Sequence, residues 1–311
     1  MFDIEKERAK RRNFAMALAN SFRATEGGRR DQLDVLRTAV WYSDIEHQLG
    51  GGSIYRIERI LEPDAFRYKK HSYHLNKWRR YKVGADTPRA ALVERVDGEL
   101  PGTAALLNHP LWEALRGRKP VKRLLQEEMR RLAPAVQQVV FAGDEFGTAR
   151  RKPMGPVTRV TLLKLERRAG IDALACLTIL LRAAVETDLE QAFDIARSLY
   201  RVLLITCVSV PLGSWTRYIF ECYRQAIFPL VNSEEHQFDF DGFDFEDAVT
   251  RLNIWLLRLE DDGVIGVSHK ESVRAMWKLT TGGYGLKLWW SFEPPILWKG
   301  GTRTPDWMKD D

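Results

Sequence analysis

The sequence of 311 residues has only three cysteines, Cys176, Cys207 and Cys222, and no pair of them has the C-x-x-C spacing. This scarcity excludes a fold held by a framework of disulfides and a zinc site built on paired cysteines. Each cysteine stands in an apolar, helix-forming stretch. We therefore expect buried, reduced thiols, which are typical of cytoplasmic proteins.

Long apolar runs are also missing. The longest are Ala173–Leu181 and Val202–Leu212, whereas a helix that spans a bilayer needs about 20 apolar residues in a row. The first residues carry charges of both signs and lack the apolar core of a signal peptide. The sequence thus predicts a soluble, cytoplasmic protein without a membrane partner.

Motifs of catalytic and cofactor sites are missing too. The sequence contains no G-x-S-x-G, no cysteine–histidine signature and no dinucleotide-binding fingerprint. Gly50, Gly51 and Gly52 are not followed by the lysine that completes a phosphate-binding loop. We predict no cofactor and no catalytic residue. An enzyme whose site is assembled from scattered residues is kept as a third alternative.

The histidines and acidic residues do not form a metal-binding pattern. His71 and His74 are three residues apart, but no carboxylate or thiol stands beside them, and the positive charge around them repels a dication. Residues 234–244 are rich in carboxylates but lack the ligand order and the final glutamate of an EF-hand. Asp244 is instead expected to cap the helix that follows it. No metal site is predicted.

Charge is distributed unevenly along the chain. Residues 1–160 contain 31 Lys and Arg and 20 Asp and Glu, a net charge of +11, which leaves −5 for residues 161–311 of the formal +6. Such a split favours a basic N-terminal part that faces a polyanion and a C-terminal part with another role. The boundary falls near residues 143–156, which contain three glycines and two prolines and are the best linker candidate.

Helical patterns dominate both parts. We predict a mainly α, two-part protein: a basic helical domain over residues 1–142 and an apolar helical domain over residues 157–311. The predicted helices of the first domain cover residues 4–24, 31–48, 53–61 and 64–83. Those of the second cover residues 157–186, 188–210, 214–230 and 245–260, the last with a strong amphipathic pattern.

The most informative segment is Arg67–Lys82, RYKKHSYHLNKWRRYK, in which seven of sixteen residues are Lys or Arg and none is acidic. Three tyrosines and a tryptophan stand between the cations. Cations neutralise phosphates, and polar side chains can reach base edges, so this composition suits a nucleic acid. The alternative is a basic helix face exposed to solvent, which runs of charge usually are.

Helical spacing divides this segment into two faces. Leu75 and Trp78 fall on one face, which is expected to be buried, so we predict a structural role for Trp78. The opposite face carries four cations with an amide and a phenol between them, which is the composition that a helix in a major groove needs. The predicted nucleic-acid-binding residues are Lys69, Lys70, Tyr73, Asn76, Lys77 and Arg80.

The residues that follow, WRRYKVGADTP over 78–88, are similar to the end of the helix-turn-helix of Cro/repressor-like regulators. In that family a recognition helix ends in an aromatic residue, a glycine, a proline and another short helix. The resemblance covers about 30 residues and implies DNA binding by the helix that Gly84 closes. The small-residue turn of the preceding helix in that family is not recognisable in this sequence.

A second resemblance covers Asp239–Gly283. An amphipathic helix, a tight turn at Asp262–Gly263, an apolar stretch and the run Met276–Gly283 follow one another as in a winged helix. The resemblance implies a small β-element near the C-terminus, with strands around Val264–Val267 and Met276–Leu279. Acidic residues in the helix make DNA contact less favourable there, and many such modules bind proteins.

The leading hypothesis is therefore a non-catalytic nucleic-acid-binding protein, with duplex DNA as the expected ligand, that acts in transcription regulation or as a subunit of a larger assembly. The runner-up is a protein-interaction subunit whose basic helix docks on an acidic partner. In both cases the C-terminal half could form a homo- or hetero-oligomer.

Overall fold

A computed structural model of the protein describes residues 30–66, 71–142, 152–153 and 157–299, and for residues 65–66, 71–75, 142, 152–153 and 286–287 it describes the backbone alone. Contacts between residues divide the chain into two compact units, Met1–Trp112 and Glu113–Asp311. Helices form most of the described part of each unit. The helix predicted over residues 4–24 lies outside the described residues.

Short helices joined by tight turns build the first unit. A 3₁₀ turn at Pro63–Phe66 stands between the second and third helices. The helices are α1 (Gln32–Gln48), α2 (Ile54–Leu61), α3 (His71–Lys82), α4 (Ala90–Glu99), α5 (Thr103–Leu107) and α6 (Pro110–Arg116), the last of which crosses into the second unit.

Side-chain caps fix where the first helices begin. Asp31 Oδ1 accepts a hydrogen bond from the Leu33 amide at 2.9 Å, and Ser53 Oγ accepts one from the Arg56 amide at 3.3 Å. Each cap satisfies an amide that has no partner within its helix. The predicted helices over residues 31–48 and 53–61 are thereby confirmed within a residue at each end.

The first unit closes over a core that is rich in aromatic rings. Helices α1, α2, α3 and α4 each contribute buried side chains to it, so the basic segment is attached to the core from one side. Its buried members are Trp41, Tyr42, Ile45, Ile57, Leu61, Trp78, Tyr81, Leu92, Val93, Val96 and Leu107.

The second unit is larger and contains the long apolar helices. Val121–Arg123 (α7) continues through a π turn and a 3₁₀ turn to Arg131. Two further 3₁₀ turns cover Gly213–Trp215 and Phe228–Val231. The remaining α-helices and strands are α8 (Pro134–Val140), β1 (Phe141–Ala142), β2 (Lys152–Pro153), α9 (Arg159–Glu166), α10 (Ile171–Val185), α11 (Leu189–Thr206), α12 (Thr216–Ala226), β3 (His236–Phe238), α13 (Phe245–Asp261), α14 (His269–Thr280), α15 (Leu286–Trp290) and β4 (Ile296–Trp298).

Helix α10 lies at the centre of this unit. Every residue from Ala173 to Leu181 is buried, as expected for a helix that is apolar on all sides. Its buried Thr178 hydroxyl is hydrogen-bonded to the Tyr223 hydroxyl of α12 at 2.8 Å, which satisfies both polar groups. Helix α11 packs along α10 and carries its own apolar face into the same core.

The segment after Trp112 makes polar contacts within the second unit. The Ala133 amide donates to Asp172 Oδ1 at 2.7 Å, and Arg182 donates to the Ala114 carbonyl oxygen at 2.7 Å. The predicted linker, residues 143–156, lies outside the described residues apart from β2. The predicted domain boundaries, residues 1–142 and 157–311, therefore stay a prediction.

A small antiparallel sheet near the C-terminus confirms the predicted fold class, a mainly helical protein with one β-element in this region. Strands β3 and β4 pair in it, with His236 opposite Trp298 and Phe238 opposite Ile296. Its strands are far from the predicted positions. Among the helices that the structure describes, none combines the length and the apolar character needed to cross a bilayer.

The strands predicted from the winged-helix resemblance are wrong. Met276–Leu279 belongs to helix α14, and Val264–Val267 is irregular, with bends, so residues 239–283, all of them described, contain no strand pair. Ser268 caps α14 by accepting from the Glu271 amide at 3.3 Å, and its hydroxyl donates to the Glu271 carboxylate at 2.8 Å. The predicted turn after α13 is confirmed, since Gly263 has a φ of +66°.

The sheet also carries a buried histidine. The His236 ring lies on Phe193, with ring centroids 3.7 Å apart, and its Nε2 is buried without a partner in the described chain. Burial lowers the pKa of His236, and the charge of Glu235 acts in the opposite direction. Protonation would place a positive charge and an unpaired donor in this apolar contact.

We expect the second unit to lose stability in acid because of this histidine. Its lowered pKa means that the folded state favours neutral imidazole. That contribution is complete above the unfolded-state pKa of about 6.5 and is lost as pH falls through the folded-state pKa. Denaturant midpoints between about pH 5 and pH 8 should fall less steeply for His236→Gln than for the parent. The exposed His269→Gln serves as the control. An unchanged pH profile in His236→Gln would contradict the prediction.

Candidate functional site

Helix α3 is fixed to the first unit by its aromatic side chains. Trp78 is fully buried, stacks on Trp41 at a centroid distance of 6.2 Å and meets Tyr81 edge-on at 5.7 Å. The indole N–H of Trp78 donates to Glu62 Oε2 at 2.8 Å. The predicted burial of Trp78 is confirmed. Because this side of α3 faces the core, the opposite side is left for solvent.

The end of α3 is set by Gly84, as predicted. This residue has a φ of +64°, and a Cβ atom built on it would lie 2.2 Å from the carbonyl oxygen of Val35 in α1. A left-handed conformation and a backbone contact this close both require glycine. The last turn of α3 therefore lies directly against α1.

The structure describes three of the six predicted binding residues only in part or not at all. Lys69 and Lys70 lie outside the described residues, and only the backbone of Tyr73, in the first turn of α3, is described. Asn76 is exposed, as the prediction requires. The other two predicted residues, Lys77 and Arg80, bind carboxylates of the same unit.

Lys77 forms an ion pair with a nearly buried carboxylate. Its ammonium lies 2.8 Å from Glu62 Oε1 and 2.5 Å from Oε2, and Glu62 also accepts the Trp78 indole N–H. The side chain of Lys77 is 23% exposed and that of Glu62 11%. A cation held in this way stabilises the attachment of α3 and is less available to a ligand than the sequence indicates.

Arg80 binds Asp86 through two parallel hydrogen bonds, one from Nε to Oδ2 and one from Nη2 to Oδ1 at 2.7 Å. The hydrogen bond from Arg80 lowers the pKa of Asp86, although partial burial acts against it. The two side chains are 56% and 43% exposed, so water screens the pair and its net contribution is small. A ligand phosphate can therefore replace Asp86 as the partner of Arg80.

Arg79 is the cation that the sequence-based prediction missed. It is exposed and forms no ion pair with any carboxylate in the described part of the chain, whereas Lys82 reaches Glu46 at 3.2 Å. Position 79 is three residues after Asn76, so the two side chains share one face of the helix. This i, i+3 spacing was the signal in the sequence that could have placed Arg79 on the predicted binding face beside Asn76.

Asn76, Arg79 and Arg80 meet in a shallow surface depression. Ile54 at the start of α2 and Val83 after α3 complete its apolar edge, and its volume is about 520 Å³. We call this set, Asn76, Arg79 and Arg80, the exposed stripe of α3.

No family model, curated protein or solved structure matches this chain. The exposed stripe has to be interpreted from its own chemistry.

The exposed stripe offers two planar guanidinium groups and one amide within a single helical turn and a half. Guanidinium groups bind phosphate and carboxylate oxygens in a forked geometry, and an amide can both donate and accept. Among the described residues, no group of three His, Cys, Asp or Glu side chains is placed to hold a metal ion. The arrangement suits recognition of an anion.

Proposed function

We propose that this protein binds nucleic acid, with duplex DNA as the expected ligand, through the exposed stripe of α3. The observation that carries the proposal is the division of this helix. Trp78 and Tyr81 hold one side in the aromatic core, which turns Asn76, Arg79 and Arg80 outward together. A rigid helix with an outward row of guanidinium and amide groups suits a phosphate backbone and base edges.

The residues of the proposed interface have different roles. Arg79 contacts phosphate directly, and Arg80 does so after leaving Asp86. Asn76 reaches a base edge or a sugar–phosphate oxygen. Lys69, Lys70 and Tyr73 extend the same segment toward its N-terminus, whereas Lys77 joins the interface only by leaving Glu62.

The resemblance to Cro/repressor-like regulators gives this proposal a mode of binding. In this mode of binding, α2 crosses the phosphate backbone and α3 enters the major groove. The packing of Ile57 and Leu61 of α2 in the same core as Trp78 supports a fixed geometry between these helices. A regulator or an assembly subunit located in the cytoplasm is consistent with the free thiols of Cys176, Cys207 and Cys222.

Two single substitutions should change DNA affinity in opposite directions. Asp86→Asn removes the carboxylate that Arg80 has to leave before it contacts phosphate, so it should strengthen binding without adding a phosphate contact. Arg79→Ala removes a phosphate contact and should weaken binding, with a salt dependence flatter by about 0.9. Fluorescence anisotropy of a labelled duplex, titrated with the full chain at several salt concentrations, measures both quantities.

Glu221→Gln in the second unit is the matched control for Asp86→Asn. Glu221 pairs with Arg224 in a similarly exposed salt bridge, so the variant makes the same change in net charge at another place. Equal gains in affinity for Asp86→Asn and Glu221→Gln would show that net charge alone governs binding. If neither Asp86→Asn nor Arg79→Ala changes DNA affinity, α3 is not part of the interface.

The runner-up, a protein-interaction subunit, is favoured by one observation in the second unit. Ile254 and Leu257 of α13, together with Val264 and Val267 just after it, are exposed apolar side chains, and Val267 is 90% exposed. Apolar side chains grouped in this way mark contact sites for other proteins. A stable complex with a protein partner, formed by a chain that shows no salt-dependent DNA binding, would favour this function over the first.

A further inference from the structure

The second unit contains a groove that the proposed DNA-binding function does not use. Its volume is about 940 Å³, and its walls come from α9, α11, α14 and α15. This size lies within the range of sites for small molecules and cofactors. Charged residues and two tryptophans line it, which distinguishes it from an ordinary apolar cleft.

One face of α11 forms the floor of the groove. Glu190, Asp194, Arg197 and Arg201 stand at i, i+4, i+7 and i+11, and all four line the groove. Glu190 and Asp194 are exposed, and neither carboxylate has a partner in the described part of the chain. At about 1.5 Å per residue, Arg197 lies about 4.5 Å along the axis from Asp194, and Arg201 about 10.5 Å from it.

The arginine end of the floor is more deeply buried. Arg201 donates to Glu166 Oε1 at 3.2 Å and to Glu293 Oε1 at 2.8 Å, and Arg197 donates to Glu293 Oε2 at 3.3 Å. Burial acts to lower the pKa of Arg201, but Glu293 and Glu166 outweigh it and the pKa is raised. Two cations thus face two carboxylates, and their charges balance.

The two tryptophans hold these carboxylates in place. The Trp277 indole N–H donates to Glu166 Oε2 at 3.0 Å, and the Trp289 indole N–H donates to Glu293 Oε1 at 2.7 Å. Every carboxylate oxygen of Glu166 and Glu293 therefore already accepts a hydrogen bond. The Nε–H groups of Arg197 and Arg201, in contrast, are buried and lack an acceptor within the described chain. Buried donors without acceptors cost free energy, which a ligand oxygen would recover.

We propose that this groove binds a small zwitterion. A small reorientation of the Arg197 and Arg201 side chains lets its carboxylate accept from their buried Nε–H groups, and its ammonium group lies against Asp194 and Glu190. A ligand with only an anionic group would be repelled by Glu190 and Asp194, because Glu166 and Glu293 balance Arg197 and Arg201, and Asp188 balances the charge of Arg159, the third arginine that lines the groove. A ligand with only a cationic group would leave the two buried donors without acceptors. One molecule that carries both groups satisfies both ends.

The test uses three probes of one length. These are 5-aminopentanoate, which carries both charges, and pentanoate and pentylamine, which carry one charge each. Calorimetric titration of the full chain should show that 5-aminopentanoate binds at least about tenfold more tightly than either of the others, the factor that one charge-assisted hydrogen bond provides. NMR signals of the Trp277 and Trp289 indole N–H groups should shift on binding.

Asp194→Asn tests the contribution of the ammonium-binding end of the site on its own. Because Asp194 is exposed, this variant should fold normally, and its affinity for 5-aminopentanoate should fall toward that of the parent for pentanoate, since Glu190 alone then holds the ammonium group. Asp261 is also exposed and lies outside the groove, so Asp261→Asn should bind like the parent. Equal affinity of the three probes, no binding of 5-aminopentanoate, or the same loss in both variants would overturn the proposal.

Discussion

Replacing Trp78 with Ala should destabilise the first unit by about 3–5 kcal/mol, the usual cost of removing a fully buried large aromatic side chain. The indole stacks on Trp41, meets Tyr81 edge-on and donates to Glu62. Its loss leaves a cavity in the aromatic core. It also leaves the nearly buried Glu62 with Lys77 as its main partner.

Hydrogen exchange of peptides from residues 31–107 would report this loss without interference from the second unit. Trp78→Phe keeps most of the packing and loses the hydrogen bond to Glu62, so it should cost about 1–3 kcal/mol. The control is Trp290→Ala, which removes an indole that is 59% exposed and should change stability by no more than about 0.5 kcal/mol. A Trp78→Ala chain that is protected like the parent but no longer binds DNA would show that the faces of α3 are assigned in reverse.

Arg201→Ala should destabilise the second unit by about 3–5 kcal/mol, since it breaks a buried charge network by removing one partner. Glu166 is 1% exposed and depends on Arg201 for its counter-charge, while Glu293 keeps only the longer ion pair, with Arg197, beside its hydrogen bond from Trp289. Removing one partner of a buried ion pair costs more stability than removing both. The carboxylate that is left still pays its desolvation penalty but no longer has the attraction of a cation.

Denaturant unfolding of the second unit measures this effect, and two further variants define its origin. Arg224→Ala breaks an exposed pair and should cost no more than about 0.5 kcal/mol. Adding Glu166→Gln to Arg201→Ala removes the unbalanced charge and should restore part of the lost stability. If the double variant is no more stable than Arg201→Ala, the loss comes from packing and not from charge.

Much of the helical fold could be predicted from sequence because caps and apolar periodicity are local signals. The amphipathic pattern of residues 245–260 predicted α13, and its Asp244 accepts from the Asp247 amide as a cap should. The single helix predicted over residues 157–186 is divided in the structure, since α9 ends at Glu166 and α10 begins at Ile171. Gly170 stands at this break, and an apolar pattern that continues on both sides of it concealed the interruption.

The winged-helix strands could not be told from a helix by apolar content alone. The residues Met276–Leu279 alternate poorly, and a short apolar run of this kind fits either structure. The capping box of Ser268 and Glu271, visible in the sequence as S-x-x-E, was the signal that favours a helix. The true strands, β3 and β4, pair residues that are about sixty positions apart, and no local pattern specifies that pairing.

The candidate interface shows a different limit of sequence-based reasoning. The segment Arg67–Lys82 contains no acidic residue, yet Glu62 before it and Asp86 after it bind Lys77 and Arg80. A count of charges within the segment cannot reveal partners that folding brings from beyond its ends. Which cations are available to a ligand is a property of the tertiary structure.

The pairing of Arg80 with Asp86 also bears on which anions the exposed stripe can select. Asp86 is tethered six residues from Arg80, so its effective concentration at the guanidinium group is on the order of millimolar or higher. A single inorganic anion that competes for Arg80 has to exceed this concentration. In a polyanion that already contacts Arg79 and Asn76, the next phosphate is held close to Arg80, so its effective concentration there is also high. The Arg80–Asp86 ion pair therefore disfavours binding of single small anions, whereas a polyanion can still displace Asp86 from Arg80.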